Sequence, residues 1–409
     1  MNPRPDPALS LSSLLLLALA LRLAAHFALP QPLQSDGLAY FTLAQHLAAG
    51  DWPSDNLGQH AFYSIGYPLV LAPFFALLGA STGVAFAVNL ALAMLAGWLV
   101  ALVARACALP RPAQQLALLG YALWLPGIWN CTLIARENLS TPLLLLLVWL
   151  ALRLSRQPSL ASAALAGLAW AAALLAGSSA LPLLAAPLLA IAIGARWRPR
   201  AMGAPLLALL AAAALMLAPW SWATRQMLGH PILSTNSGFN LYLGNNPSAT
   251  GRFVSIAATP VGPQWQAMRA RLGESGATSD LGQRALVWMR AHPAQVARLT
   301  AIKLALFWAP NLPDAQDFAL SRAVACVRLF EVIQYLLFLA LALLAIARQG
   351  IAPAPRAILL AAITGFWALH GLAYIIERYR DPVMPLLIIL AAAALARLAP
   401  PHKARAHVA

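Results

Sequence analysis

The sequence predicts an all-α polytopic membrane protein, a bundle of about ten transmembrane helices with further helices lying on one membrane face. Three observations carry this. The 409 residues are 61% hydrophobic and only 10% charged. Their mean hydropathy is +0.73. The apolar residues also fall in repeated runs that meet or approach the 20 or so residues a helix needs to cross about 30 Å of hydrocarbon. The net charge of +15 does not indicate nucleic acid, because the Arg residues sit in short loops beside apolar runs and no basic stripe carries interleaved aromatics. Cys107, Cys131 and Cys326 have neither disulfide-framework nor zinc spacing, and read as packing residues.

Taken in order, the predicted spans cover 9–29, 83–107, 113–130, 138–154, 160–176, 180–194, 203–222, 322–347, 356–376 and 382–398. The first is not a signal peptide, since Arg22 and His26 interrupt the cleavage-site pattern and further spans follow. Two shorter apolar pieces, 64–79 and 297–310, are ambiguous by length. The positive-inside rule arbitrates: it disfavours the alternative in which both pieces span, which would flip the basic loops between them outward, and leaves that alternative open. If both stay on the outer side as re-entrant or interfacial helices, the short basic loops with Arg105, Arg111, Arg153, Arg156, Arg196, Arg198, Arg200, Arg348 and Arg356 all become cytoplasmic, with Arg4, Arg397, Lys403 and Arg405. The chain then divides into an N-terminal membrane module (1–222) whose first external loop is 30–82, an external segment (223–321) forming a small cap, and a C-terminal membrane module with a basic tail (322–409). No nucleotide-binding loop is present, which argues against a pump powered from the cytoplasm. Chemistry is expected at the outer face.

Three membrane entrances bring acids to that face: Asp36 in "SDGLAYFTLAQHLAAG", Glu137 beside Arg136, and Glu377 and Asp381 with Arg378 and Arg380 in "ERYRDP". An acid at a bilayer boundary is costly unless paired, hydrated or in use. Asp36 also fits an N-cap of an external helix that carries Tyr40, Leu43 and Leu47 at helical spacing. Both readings of it stand at this point. In "NLYLGNNPSATG", Asn245, Asn246 and Pro247 mark a tight turn.

In order along the chain, "SDGLAYFTLAQHLAAG", "YSIGYPLVLAPFFALLG", "ENLSTPLLLLLVWLALRL", "GFNLYLGNNPSATGRF", "HPAQVARLTAIKLALFW" and "ERYRDPVMPLLIILAAAAL" resemble bacterial glycosyltransferases of the GT-C superfamily. The similarity is to the branch named after dolichyl-phosphate-mannose protein mannosyltransferases, which includes the aminoarabinose transferase of lipid A. The resemblance implies a GT-C-type transmembrane bundle in the bacterial inner membrane with its site facing the periplasm. It implies an inverting transfer of a sugar from a polyprenyl-phosphate donor to a hydroxyl acceptor among the surrounding membrane lipids, glycans or proteins. Asp36 matches the family's first-loop acid and is the expected general base; Glu137 ranks second among the catalytic acids, its role open between binding the sugar or acceptor, orienting Asp36 and pairing with Arg136. Arg378, Arg380 and Lys303 are the expected donor-phosphate contacts. The two arginines serve equally as interfacial anchors, and Lys303 equally snorkels to the headgroups. Tyr40, His60, Tyr63, Tyr67, Asn240, Tyr242, Asn245 and Glu377 are the expected substrate contacts; the aromatics among them fit a membrane belt as well. No cofactor is predicted. Gly37 stands where the family frequently has a second acid, so a divalent metal is open but unsupported. The alternative class is a secondary transporter or flippase of lipid-linked sugars. Against it, no paired Gly/Pro-broken repeat is evident, and ionisable groups sit at span ends, Arg22 excepted.

Overall fold

The computed structural model describes residues 10–313, 319 and 321–398. Arg4, Lys403 and Arg405 of the predicted basic set lie outside them. The described residues form helices and no strand, with one isolated bridge between Arg252 and Ile375. The helices are α1 Leu11–Ala28, α2 Ser35–Ala49, α3 Gly66–Leu78, α4 Thr82–Ala106, α5 Arg111–Leu123, α6 Leu125–Thr132, α7 Glu137–Arg156, α8 Leu160–Ala176, α9 Ala185–Gly194, α10 Pro199–Leu228, α11 Asn236–Gly244, α12 Trp265–Ala291, α13 Pro293–Trp308, α14 Arg322–Ala347, α15 Pro353–His370 and α16 Met384–Leu398.

All ten predicted spans are helical, and six are long and apolar enough to cross a membrane by themselves: α1, α4, α7, α10, α14 and the segment Glu377–Leu398. The chain is a multi-pass membrane protein. The predicted span 113–130 is instead two helices, α5 and α6, broken at Trp124, whose backbone is extended. The break frees the Leu125 N–H and the Leu123 carbonyl. Gln334 of α14 satisfies both, accepting from the first at 3.1 Å and donating to the second at 2.9 Å. Non-helical backbone at membrane depth persists where another element closes its hydrogen bonds in this way.

Hydrophobic residues all round a helix predict a central position. The window at Glu377–Leu398 is 72% buried against 17% for α1 and α10 and 22% for α14, so α16 lies at the centre and those three face outward. Helices α8 and α10 approach so closely that a Cβ on Gly167 would lie 2.0 Å from the Leu209 carbonyl oxygen. Small residues permit that approach in a bilayer. Gly167→Ala is expected to force the pair apart at a cost of about 1–3 kcal/mol, read as a lower Tm in detergent.

The connections α4–α5, α7–α8, α9–α10 and α14–α15 gather at one end of the bundle. There Arg156 donates to the Ala106 carbonyl, Gly194 packs against the Leu154 carbonyl and Pro158, and Arg397 donates to the Arg348 carbonyl at 3.2 Å. Asp36, Glu137 and the 377–383 turn meet at the opposite end. The two ambiguous pieces fall there too. Helix α3, 13 residues long, reaches only about 20 Å. It starts against the backbone of Leu175 and Ala176 and ends three residues before α4, so it does not cross. Helix α13 lies along the same end: Trp367 donates to its Leu304 carbonyl, and Arg380 to the Ala309 carbonyl that follows it. Arg22 is fully buried, donates to the Ala18 carbonyl at 3.1 Å and stacks over Tyr121.

Residues of α11 and α12 form a separate apolar cluster, with Tyr242, Leu243, Trp265, Met268 and Leu281 buried against Tyr374. It is tied to the first loop by one carboxylate. Glu274 accepts from the His60 and Ala61 N–H groups at 2.6 and 2.9 Å and from the Thr235 hydroxyl at 2.7 Å. Glu274→Ala leaves two enclosed amides without an acceptor, worth about 1–3 kcal/mol each. Its expected signature is faster amide exchange at His60 and Ala61, with exchange in α7 and α16 unchanged.

Candidate active site

Four short pieces of chain build the site. The first turn of α2 carries Asp36, the start of α7 carries Glu137, the loop before α3 carries Tyr63, and "ERYRDPV" forms a 3-10 turn that presents Arg378. That turn contains Pro382, which has no N–H to donate within it. Asp36 is not the helix cap its sequence suggested. Gln34 occupies the N-cap position, and Asp36 stands in the first turn, where a carboxylate still complements the helix dipole.

The Arg378 guanidinium joins the two acids. Its Nη2 donates to Asp36 Oδ2, and its Nε lies 3.8 Å from Glu137 Oε1. Arg136 Nε approaches the same Glu137 oxygen at 3.6 Å. Tyr63 donates its hydroxyl to the other Asp36 oxygen at 3.3 Å. Burial raises the Tyr63 phenol well above its ordinary range, and the charge of Asp36 raises it further. It therefore stays a donor at any physiological pH. The Arg378 Nε is buried and has no hydrogen-bond acceptor. Nearby, Asn130 of α6 donates to Asp381 at 2.6 Å.

Two clefts open on either side of this cluster, and Arg378 lines both. One, of about 210 Å³, holds Arg328, Arg378, Arg380, Glu331, Glu377 and Asp381 with the rings of Trp124, Trp129 and Tyr335. The other, of about 470 Å³, holds Asp36, Arg378, Gln31, Ser35, Thr82 and Thr132 among the apolar side chains at the ends of α1 and α4.

Asp36, Glu137, Tyr63, Arg378, Arg380 and Glu377 are thus brought together. Arg380 is largely buried, donating to Ala309 and lying over the Tyr335 ring at 4.0 Å, so it shapes the wall of the first cleft. Glu377 accepts from Asn311 at 2.6 Å at the rim. The remaining candidates are placed elsewhere. Lys303 is fully buried and donates to Asn245 Oδ1 at 3.0 Å, while Asn245 donates to the Leu372 and Leu241 carbonyls. This pair staples the 244–251 turn to α13, and neither residue lines either of the two clefts. Lys303 does not snorkel, because its ammonium finds a partner inside. Tyr40 and Tyr67 pack edge to face in the α2–α3 core, where Tyr67 donates to Asn89 at 2.7 Å. Tyr242 is buried in the cap core. None of these rings has a free face for a sugar. Asn240 accepts from Tyr374, and the His60 ring pairs with the Pro53 carbonyl.

Cleft residues that the motifs did not single out include Arg328, Glu331, Asn130, Trp124 and Trp129. A signal for two of them existed. Arg328 and Glu331 are ionisable groups less than three turns inside the predicted span at 322–347, the placement that most often marks a functional wall.

Among solved structures, the fold is similar to the oligosaccharyltransferase AglB from Archaeoglobus fulgidus in complex with an inhibitory peptide and a dolichol-phosphate. The TM-score is 0.54 at 14% identity, covering 95% of this chain and 50% of that chain. The Archaeoglobus fulgidus oligosaccharyltransferase in complex with Zn and sulfate aligns with a TM-score of 0.50 at 16% identity, covering 94% and 51%. ArnT from Cupriavidus metallidurans bound to undecaprenyl phosphate aligns with a TM-score of 0.47 at 14% identity, covering 95% and 79%. The chain spans about half the length of the oligosaccharyltransferase chains it matches. No family model matches the chain, and no curated protein matches it by sequence. At these identities the likeness is one of fold.

Proposed function

We propose that this chain, which has the GT-C-type membrane fold, is an inverting glycosyltransferase that moves a sugar from a polyprenyl-phosphate donor to a hydroxyl acceptor at the outer face of the inner membrane. The observation that carries the reading is the position of Arg378, which holds Asp36 and forms a wall of both clefts.

The first cleft suits the donor. Its arginines match a phosphate, and its aromatic rings offer faces to the sugar or the first isoprene units. The second cleft takes the acceptor, with Asp36 on its wall. The acceptor oxygen attacks C1 as its proton passes to Asp36, and the bond from C1 to the phosphate oxygen breaks on the opposite side, which inverts the anomeric centre. Charge grows on the departing phosphate. Arg378, with an Nε that no acceptor satisfies, stabilises it. A phosphate competing for the guanidinium also loosens the Arg378 contact on Asp36, so the base is released when the donor is in place. Glu137, itself paired with Arg136, holds the guanidinium between the clefts.

Trp124 and Trp129 line the donor cleft and report its occupancy. Polyprenyl phosphate is expected to quench tryptophan fluorescence saturably, the same polyprenol without phosphate far less, and the signal is expected to vanish in a Trp124→Phe/Trp129→Phe variant. Equal quenching by phosphate and alcohol counts against the donor assignment.

A further inference from the structure

Two carboxylates beside a phosphate-binding cleft make a donor set that a divalent cation commonly takes, completing its shell with phosphate oxygens. Three observations at Asp36 and Glu137 speak against such a fit. The charges already balance, since Asp36 and Glu137 are matched by Arg136 and Arg378 in the same cluster, and a divalent ion added there faces no uncompensated negative charge. Three of the four carboxylate oxygens are engaged. Asp36 accepts from Arg378 and Tyr63, and Glu137 Oε1 faces two guanidinium groups. The neighbouring position is tight for another ligand, since a Cβ on Gly37 would stand 3.2 Å from the Ile134 carbonyl oxygen. Among the described residues no group of three or more His, Cys, Asp or Glu is placed to hold a metal.

We infer that the Arg378 guanidinium is the resident cation of this site, standing where a divalent metal would join the two carboxylates to a lipid phosphate, and that turnover is independent of divalent metal. This rests on reading the cluster as the transfer site. The chemistry is consistent with it. A guanidinium keeps its charge at all relevant pH, presents a planar fork to phosphate and cannot be lost to a chelator. Its buried Nε makes no hydrogen bond and faces Glu137 Oε1 at 3.8 Å.

The test is a Mn²⁺ titration of the full-length protein in detergent, followed by calorimetry and electron paramagnetic resonance. Wild type is expected to show no saturable uptake. Arg378→Ala removes the internal cation and leaves the cluster one negative charge in excess. It is expected to take up one Mn²⁺ with a Kd on the order of 10⁻⁴–10⁻³ M, the range of weak carboxylate sites. Arg378→Ala/Asp36→Asn is expected to lose it. Saturable Mn²⁺ binding by wild type that Asp36→Asn abolishes overturns the inference, as does a folded Arg378→Ala protein that binds none. Arg378→Gln, which keeps the length of the side chain, takes its place if the Ala variant has no thermal transition. Activity gives the second arm: EDTA is expected to leave wild-type turnover unchanged, and a loss restored by Mn²⁺ contradicts the inference. Absence of transfer with every donor would refute the proposed reaction, while the Mn²⁺ titration still decides the nature of the cation.

Discussion

Asp36→Asn is expected to lower turnover by about 10²- to 10⁴-fold, the usual worth of a positioned general base, while the protein remains folded. The substitution keeps the shape of the side chain and its amide oxygen still accepts from Tyr63, so the loop before α3 retains its anchor. What disappears is the proton-accepting charge and the ion pair to Arg378. Both partners of that pair are about one-third exposed, and pairs with such exposure are worth about 1 kcal/mol or less. A Tm close to wild type with turnover reduced on this scale separates catalysis from folding. Full turnover by Asp36→Asn removes the residue from the chemistry and makes Glu137 the next base to examine.

Arg378→Gln is expected to lower kcat/KM by about 10²- to 10³-fold, the loss seen when one donor to a developing anion is removed. Its second effect is electrostatic. Glu137 is only 6% exposed and keeps Arg136, so it is not left unpaired, but Asp36 loses its ion pair with Arg378. With that contact gone, Asp36 is a freer base and a worse-positioned one. The diagnostic result is therefore a split: donor concentration dependence changes strongly, acceptor concentration dependence little. Equal changes in both, or none, return the 377–383 turn to the role of interfacial anchor.

Much of the architecture was legible from the apolar runs. The Arg distribution favoured α3 and α13 at the acid-bearing end, where they lie, because spanning by both would have flipped the basic loops between them. The break at Trp124 was not legible. Leu125 and Pro126 hint at it, but the condition that makes it tolerable is Gln334, about 200 residues away. Asp36 and Arg378 were singled out from local sequence, yet their pairing across the whole chain is a property of the packed bundle. The candidates that lie away from the two clefts share one feature. Lys303, Asn245, Tyr67 and Tyr242 are polar or amphipathic groups whose hydrogen bonds are closed by buried partners such as Asn89 and the Leu372 carbonyl. A sequence shows the demand for a partner, and only the fold shows whether protein or substrate supplies it.

The central claim is that the Asp36–Arg378–Glu137 cluster breaks a glycosidic bond to a lipid phosphate. Purified protein given a polyprenyl-phosphate donor labelled in the sugar, with a hydroxyl acceptor and neither ATP nor an ion gradient, tests it most directly. The account predicts label on the acceptor with inverted anomeric configuration, an equal amount of free polyprenyl phosphate, and neither product from Asp36→Asn above a small residual. Label that stays on the lipid while the intact donor crosses a vesicle bilayer in a protein-dependent way would contradict it, and would identify the two clefts as parts of a transport path.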